Sequence, residues 1–194
     1  MRRKTNTRHG GCGQLRIIGG EWRGRKLPVA DIEGLRPTSD RVRETVFNWL
    51  APYIPGARVL DCFSGTGALS LEALSRGAKE AVMIEKAPSA ARVLIDNLAL
   101  LSASHGQVMN TDSLSWLSQR ASQSFDIIFL DPPFRKGLLN QTCDLLQENG
   151  YLNNETIIYI EVEKELSLDA LPQDWCQFKE KVAGQVRYSL WTTQ

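Results

Sequence analysis

The amino-acid sequence predicts an α/β fold: a seven-stranded, mostly parallel sheet with helices on both faces and a small β-hairpin at the N-terminal end. From about residue 58 onward, short apolar runs alternate with segments of helical periodicity, as expected where helices join parallel strands. Two β-rich segments joined around Gly184 end the chain and predict an antiparallel pair. Residues 15–29 predict two short strands around a glycine turn, which form the hairpin.

The predicted elements follow one another without an internal repeat. A first helix, capped by Thr38 or Ser39, is expected from the helical spacing of apolar residues between 42 and 50, and Pro52 and Pro55 end it. Strands are predicted at residues 58–61, 81–84, 107–109, 125–130, 156–162, 175–182 and 187–193, and further helices near residues 69–77, 89–101, 113–119 and 138–147.

Composition limits the class of protein. The 194 residues, 42% of them hydrophobic, suffice for one good core. No apolar stretch approaches the roughly 18–20 residues of a membrane span, and the chain starts with polar and basic residues, so we expect a cytoplasmic protein. The four cysteines form no C-x-x-C pair and are expected to be reduced thiols. With two histidines in the chain, neither a histidine-based triad nor a bound metal ion is expected.

Charge is distributed unevenly along the chain. Residues 1–43 contain eleven Lys and Arg against four Asp and Glu, a balance of +7, whereas residues 44–194 carry −6. A basic end attracts polyanions, of which the phosphate backbone of a nucleic acid is the commonest. For residues 1–14 a solvated, disordered tail is an equally good interpretation.

The tetrapeptide Asp131-Pro132-Pro133-Phe134 follows the apolar run at 125–130 and carries the clearest chemical signal. A proline restricts the residue before it to extended backbone, so the Asp131 carboxylate and the Pro132 carbonyl should project from the end of the strand as a pair of acceptors. A planar exocyclic amine supplies the matching donors, and Phe134 offers a face on which a base can stack. The motif indicates methyl transfer to a nucleobase amine, although a Pro-Pro after a strand is by itself more often a rigid turn.

A second set of polar residues follows the first two strands of the sheet. The loop after the first strand contains glycines that let the backbone pass close to a ligand. Its candidate cofactor contacts are Asp61, Phe63, Ser64, Gly65 and Gly67. Glu85 ends the second strand, where a carboxylate is placed to accept hydrogen bonds from both ribose hydroxyls of a nucleotide. The glycines alone are weak evidence, and Ser70 stands where a dinucleotide-binding fold would have its third glycine.

The identity of the cofactor follows from charge. S-adenosylmethionine has no pyrophosphate but carries an ammonium and a sulfonium, for which Asp61 is a suitable acid; the same carboxylate would also suit the loop amides as a cap. Hydride transfer has no use for the tetrapeptide, so S-adenosylmethionine is the expected cofactor. Asp112, just after the third strand, is placed to receive an adenine amino group with the Ser113 amide beside it, or equally to cap the helix that begins there.

These motifs together resemble the RsmD family of bacterial methyltransferases, which belong to the class I, Rossmann-like methyltransferases. The resemblance rests on the segments 16–20, 24–27, 35–38, 40–44 and 69–78 together with the tetrapeptide, and it covers the chain from about residue 15 to the end. It implies transfer of a methyl group from S-adenosylmethionine to the exocyclic N2 amine of a guanine in small-subunit ribosomal RNA, free or in an assembling particle, by a monomer without a metal ion. Asp112 is less secure, because that position varies within the family.

The resemblance also suggests how the chain is divided. Residues 1–14 are expected to be the basic tail, residues 15–50 a basic hairpin and helix that hold RNA and cover the active site, and residues 51–194 the methyltransferase domain. Candidate phosphate contacts, each of which is equally well an ordinary surface charge, are Arg16, Arg23, Arg25, Lys26, Arg36, Arg41 and Arg43.

Three other functions remain open at this point. An adenine-N6 methyltransferase shares the Asp-Pro-Pro-aromatic chemistry, although a sequence-reading domain is not visible in a chain this short. A non-catalytic RNA-binding or assembly factor would have no need for the glycines, Glu85 and Asp131. A dehydrogenase would bind nicotinamide instead of a sulfonium.

Overall fold

The computed structural model describes residues 13–30 and 39–193. The expected alternation of strands and helices is confirmed. The elements, in chain order, are β1 (Gln14–Arg16), β2 (Lys26–Pro28), α1 (Asp40–Leu50), β3 (Arg58–Asp61), α2 (Ala68–Ser75), β4 (Glu80–Ile84), α3 (Pro88–Leu100), β5 (Gly106–Met109), α4 (Ser113–Leu117), β6 (Ile127–Leu130), α5 (Leu138–Glu148), β7 (Ile157–Glu163), β8 (Trp175–Ala183) and β9 (Val186–Thr193).

The main sheet has seven strands in the order β5-β4-β3-β6-β7-β9-β8. The strands from β5 to β7 in this order are parallel, while β9 is antiparallel to both β7 and β8. The chain builds β3, β4 and β5 outward on one side and then returns to place β6 on the other side of β3. Strand order therefore reverses at β3 and β6, which is where open α/β sheets bind their ligands.

Each side of the sheet is covered by an apolar layer. One hydrophobic cluster includes α1, α2, part of α3 and the hairpin strands, and the other includes α5 and the opposite faces of β6 and β7. The strands of the sheet centre are buried on both faces, and β6 is buried along its whole length. This explains why their sequences are continuous apolar runs instead of alternating ones.

The N-terminal hairpin, formed by β1, β2 and the turn between them, packs on α2 as part of the main core. Leu15, Ile17 and Leu27 are at most 2% exposed and belong to the same cluster as the inner residues of β3 and β6. The turn approaches α2 closely: Gly20 has φ of 76°, and a Cβ at this position would lie 1.8 Å from the Ser75 carbonyl oxygen. Only glycine fits here without displacing the hairpin.

A buried carboxylate, Glu72 of α2, holds the hairpin to the helix. Its two oxygens accept hydrogen bonds from the backbone amides of Ile18 and Gly19 at 2.8 and 2.7 Å and from Arg76 Nε at 2.7 Å. Arg43 of α1, which is 1% exposed, places Nη1 3.7 Å from Glu72 and donates from Nη2 to the Arg16 carbonyl at 2.9 Å. Buried charges need such partners, so Glu72 links the hairpin, α1 and α2.

The structure contains no helix, within residues 13–30 and 39–193, that is long and apolar enough to cross a membrane. Cys62, Cys143 and Cys176 form no disulfide with one another, in agreement with the expectation from the sequence. Burial raises the pKa of both the Cys62 and the Cys143 thiol, which keeps them protonated and unreactive.

Replacing Glu72 with alanine should lower the free energy of unfolding by about 3–5 kcal/mol, because it leaves buried cationic groups without their carboxylate. Urea denaturation followed by tryptophan fluorescence measures this. Glu165→Ala is the matched control, since Glu165 is an exposed partner of Lys164 at 3.7 Å and its loss should leave the midpoint unchanged. A wild-type midpoint for Glu72→Ala would contradict the assigned role.

Candidate active site

The glycine loop, residues 61–67, turns the chain from β3 into α2. Gly65 and Gly67 have φ of 52° and 76°, in the left-handed region that favours glycine. A Cβ on Gly67 would lie 2.5 Å from Leu94 Cδ2, so glycine is also needed there for packing. The loop closes on itself through the Gly67 amide, which donates to the Ser64 carbonyl at 2.7 Å, and is tied to the sheet by the Ser64 amide, which donates to the Ile84 carbonyl at 3.0 Å.

Asp61, the last residue of β3, lies beneath this loop and is 1% exposed. Its carboxylate accepts hydrogen bonds from the Phe63 amide at 3.3 Å and from the Ser70 hydroxyl at 2.6 Å. The capping role considered for Asp61 is therefore present. Ser70, at the position where a dinucleotide-binding fold would have glycine, supplies the shorter of the two bonds.

The buried position of Asp61 is unfavourable to its charged form. Burial raises the pKa of Asp61 to about 7, and the nearby Glu85 adds to this effect, while the hydrogen bonds from Ser70 and Phe63 oppose it. Among the described residues, Asp61 forms no ion pair with a lysine or an arginine. A cationic ligand next to the loop would supply the missing compensation.

Glu85 follows β4 and receives two backbone amides. Gly65 donates to Oε2 at 2.8 Å and Ala87 donates to Oε1 at 2.7 Å. These bonds fix the carboxylate beside the glycine loop, and each oxygen keeps a second lone-pair direction for a ligand hydroxyl. Glu85 is thus held in one orientation and can still accept hydrogen bonds from a ligand.

Asp112 is the N-cap of α4, and Ser113 is the first residue of that helix. The Asp112 Oδ1 accepts from the Ser115 amide at 3.1 Å, and Oδ2 pairs with Lys86 Nζ at 3.1 Å. The Ser115 amide and Lys86 lower the pKa of Asp112. The Ser113 hydroxyl donates to the Cys62 carbonyl, which links α4 to the glycine loop. The capping interpretation of Asp112 is therefore the one that the structure supports.

The tetrapeptide emerges from the carboxyl end of β6, as its prolines predicted. Asp131 is half-buried and Pro132 buried, while Pro133 and Phe134 are exposed, with Phe134 at 40%. The turn that follows has a left-handed residue, Arg135, with φ of 59°, and its amide donates to Glu163 Oε1 at 3.0 Å. This bond from β7 fixes the turn, so that the exposed ring of Phe134 is presented on an anchored loop.

The two halves of the site are adjacent because β3 and β6 are neighbours. Asp61 lies opposite Phe129 in the ladder, and the Cys62 amide donates to the Phe129 carbonyl at 3.1 Å. Paired strands lie about 4.8 Å apart, so the glycine loop and the tetrapeptide begin side by side at one edge of the sheet. Glu85 at the end of β4 lies on the other side of the loop.

The basic residues proposed as phosphate contacts differ in their surroundings. Arg23, Arg25, Lys26 and Arg41 are exposed, although Arg25 Nη2 donates to the Leu100 carbonyl at 3.1 Å. Arg16 is 56% exposed and pairs with Asp40 at 2.8 Å. Arg36 lies outside the described residues.

Arg43 does not fit the prediction of a phosphate contact. It is buried between Glu72 and Asp40, with Nη2 2.5 Å from Asp40 Oδ1. Arg43 stands three, four and seven residues before Val46, Phe47 and Leu50, which is the spacing of one helix face, and it therefore shares the buried face of α1. The guanidinium stabilises the interior and is not available to RNA.

Two buried polar residues of β7 were missed by the sequence interpretation. Tyr159 is fully buried, and its hydroxyl donates to Glu161 Oε2 at 2.6 Å; Glu161 is 6% exposed. The sequence did contain a sign of this pair, namely a glutamate inside the apolar run Ile157–Val162. A carboxylate in a buried strand is costly unless a hydrogen-bond partner or a function accounts for it.

The fold and the site define a class I methyltransferase: a seven-stranded sheet with an acidic glycine loop after β3, a carboxylate after β4, and an Asp-Pro-Pro-aromatic motif after β6. The family model described as conserved hypothetical protein 95 matches residues 15–192, and the chain belongs to that family. This finding confirms the resemblance seen in the sequence.

Named relatives cover nearly the whole chain. The Ribosomal RNA small subunit methyltransferase D of Escherichia coli K12 is 55% identical over 183 residues, which are 94% of this chain and 92% of that protein. The protein of the same name from Haemophilus influenzae is 48% identical, over 92% of this chain and 94% of its own. The solved structure of Escherichia coli yhhF, named as a methyltransferase, superposes with a TM-score of 0.88 at 52% identity, covering 94% of this chain and 99% of that one.

Replacing Asp61 with asparagine should change how stability depends on pH. Between about pH 4 and 7 the folded protein holds a proton on Asp61 that the unfolded chain has released, so stability falls as the pH rises through this range. Asparagine removes this contribution. The midpoint of urea denaturation, which for the wild type should fall between pH 5 and pH 7.5, should therefore fall less for the variant.

Asp112→Asn is the matched control for this measurement. The pKa of Asp112 is lowered, so its contribution is lost only in more acidic solution, and the change between pH 5 and 7.5 should match that of the wild type. Equal pH dependence for Asp61→Asn and the wild type would show that Asp61 is ionised in the folded protein without a ligand.

Proposed function

We propose that this protein transfers a methyl group from S-adenosylmethionine to the N2 amine of a guanine in small-subunit ribosomal RNA. The observation that carries the proposal is the adjacency, at the reversal of strand order, of an acidic glycine loop and an acceptor pair followed by an exposed aromatic ring. The names of the relatives, which are small-subunit ribosomal RNA methyltransferases, support RNA as the substrate.

The loop residues fit the cofactor by charge and by shape. S-adenosylmethionine supplies a methyl group made electrophilic by its sulfonium. In this chain Asp61, with Phe63, Ser64, Gly65 and Gly67 around it, would hold the cationic amino-acid portion, because a buried carboxylate with a raised pKa regains stability beside a cation. Glu85 would accept from the ribose hydroxyls with the lone pairs that the backbone amides leave unused. Asp112 and Ser113 would border the adenine.

The tetrapeptide would bind and orient the reacting base. The Asp131 carboxylate and the Pro132 carbonyl accept the two N–H groups of N2, Pro133 stiffens the turn, and Phe134 stacks on the ring. The N2 lone pair is delocalised into the ring while the amine stays planar. If both hydrogens are drawn toward the acceptors, nitrogen becomes more tetrahedral and its lone pair can point at the methyl group.

Asp131 would also take the released proton. As the bond from N2 to the methyl carbon forms and the bond from sulfur to that carbon breaks, N2 becomes a strongly acidic ammonium. One of its protons passes to the Asp131 carboxylate, to which it is already hydrogen-bonded. Catalysis on this account is positioning combined with electrostatic stabilisation, and it requires no strong base.

Replacing Asp131 with alanine should lower methylation by about 10²–10³-fold, since an acceptor that acts in the transition state is removed. The affinity for S-adenosylmethionine, measured by calorimetric titration, should stay within about twofold of the wild type, because Asp131 is not part of the cofactor loop. The assay is mass spectrometry of nucleosides from unmodified small-subunit RNA incubated with the protein.

Three outcomes of that experiment would contradict the proposal. N6-methyladenosine as the product would favour the adenine alternative. Full activity of Asp131→Ala would remove the tetrapeptide from the mechanism. An absence of cofactor binding by the wild-type protein would favour a non-catalytic RNA-binding protein.

We propose that residues 15–50 hold the RNA around the target base, which must lie in a loop or be turned out of its helix to reach the site. The exposed charges Arg23, Lys26 and Arg41 are the best-placed contacts, with Arg16 and Arg25 further candidates although each already has a partner. Arg36 belongs to the same proposal. Arg43 does not, because it is buried.

Replacing Arg23, Lys26 and Arg41 with alanine should weaken RNA binding and reduce its salt dependence. For single-stranded RNA, the slope of log K against log salt concentration should decrease in magnitude by about 0.7 for each phosphate that the variant no longer neutralises. Arg120→Ala, in an exposed position in the loop before β6, is the control and should keep the wild-type slope. An unchanged slope in the triple variant would place the RNA on another surface.

A further inference from the structure

Glu161 is a buried acid within β7, where its neighbours Ile160 and Val162 are buried and apolar. Burying a carboxylate is costly unless it is hydrogen-bonded, and here the fully buried Tyr159 hydroxyl donates to its Oε2 at 2.6 Å. The roles proposed for the glycine loop and the tetrapeptide do not involve this tyrosine. The hydrogen bond from Tyr159 therefore orients the Glu161 carboxylate.

The ladder between β6 and β7 places Glu161 next to Asp131. Phe129 lies opposite Tyr159, and the ladder ends with Leu130 opposite Ile160, so Asp131 and Glu161 are the residues that directly follow its last pair. Side chains alternate along extended backbone, which Pro132 favours at Asp131, so Asp131 and Glu161 are expected on the same face as Phe129 and Tyr159, on backbones about 4.8 Å apart. The rings of Phe129 and Tyr159, with centroids 6.0 Å apart, confirm that this face is shared.

A second observation agrees with this placement. Burial raises the pKa of the Tyr159 phenol, and the charges of both Glu161 and Asp131 raise it further. Both carboxylates thus lie within electrostatic reach of the same hydroxyl group. The base-binding end of β6 has a second carboxylate beside it.

Two neighbouring carboxylates distinguish guanine from other purines. On its Watson–Crick edge guanine presents the N1–H donor next to the two donors of N2, whereas adenine presents an N1 acceptor next to its amine. Both oxygens of a carboxylate are hydrogen-bond acceptors. A carboxylate therefore pairs with the N1–H of guanine and repels the unprotonated N1 of adenine. Sites that hydrogen-bond a specific donor reject analogues lacking it far more strongly than sites that rely on shape.

We propose that Glu161, oriented by Tyr159, accepts the N1–H of the target guanine while Asp131 and Pro132 accept N2, and that Glu161 thereby selects guanine. The inference rests on the proposed methylation of guanine N2 and adds the residue that determines the base. Glu161 is a specificity residue that contacts the substrate, and Tyr159 is a positioning residue that acts through it.

The test compares guanine with 2-aminopurine at the position that the wild-type protein methylates. 2-Aminopurine keeps the 2-amino group but has an unprotonated N1. The wild type should methylate guanine about ten- to hundredfold faster than 2-aminopurine, the range expected for one hydrogen bond to a charged acceptor. Glu161→Gln should lose activity on guanine and gain relative activity on 2-aminopurine, because the glutamine amide can donate to N1, so the preference should fall at least tenfold.

Control variants separate this effect from a loss of structure. Glu165→Gln removes an exposed carboxylate nearby in the sequence and should keep the wild-type preference. Tyr159→Phe keeps the ring and loses only the hydroxyl, so it should reduce the preference for guanine in the same direction even if Glu161→Gln does not fold. Thermal unfolding and cofactor titration establish that each variant is intact.

The outcomes distinguish this inference from the function on which it rests. If wild-type protein forms N2-methylguanosine but folded Glu161→Gln or Tyr159→Phe keeps the wild-type ratio of guanine to 2-aminopurine, the selecting role of Glu161 is wrong and the proposed function stands. If the wild-type product is not N2-methylguanosine, the proposed function itself is wrong.

Discussion

The parallel pairing of β3 with β6 is the interaction on which the site depends. It brings Asp61 and the glycine loop next to Asp131 and the tetrapeptide, although the two segments are far apart in the chain. Because β4 and β5 extend the sheet on one side of β3 and β7 extends it beyond β6, the two halves of the site belong to opposite halves of the sheet. A shift of one residue in this pairing would place Asp61 and Asp131 on opposite faces of the sheet.

Much of the fold could be predicted from the sequence, because buried parallel strands are continuous apolar runs and the helices between them have clear periodicity. An acidic residue ends β3 and directly follows β4 and β6, and parallel strands bring such ends to one edge. Asp61, Glu85 and Asp131 could thus be grouped before their distances were known. Their binding of the proposed ligands stays a prediction.

Long-range packing explains what could not be predicted. The spacing of Arg43 from Val46 and Phe47 places it on the apolar face of α1, but nothing near it in the sequence identifies Glu72 as the carboxylate that accompanies its burial. The docking of the hairpin on α2 depends on Gly20, Ser75 and Glu72, which are distant in the chain. For Asp112, both a helix cap and an adenine contact fitted the sequence, and the bonds to Ser115 and Lys86 favour the cap.

The helix α2 connects the glycine loop to the N-terminal hairpin. Ser70 near its start holds Asp61 under the glycine loop, while Glu72 and Ser75 further along hold the backbone of the hairpin. A truncation that removes the hairpin would expose Glu72 and the apolar side of this helix, and the glycine loop would lose a rigid support. Weak RNA methylation by a truncated protein would therefore be no measure of RNA recognition, and substitutions of single surface side chains are needed to separate recognition from folding.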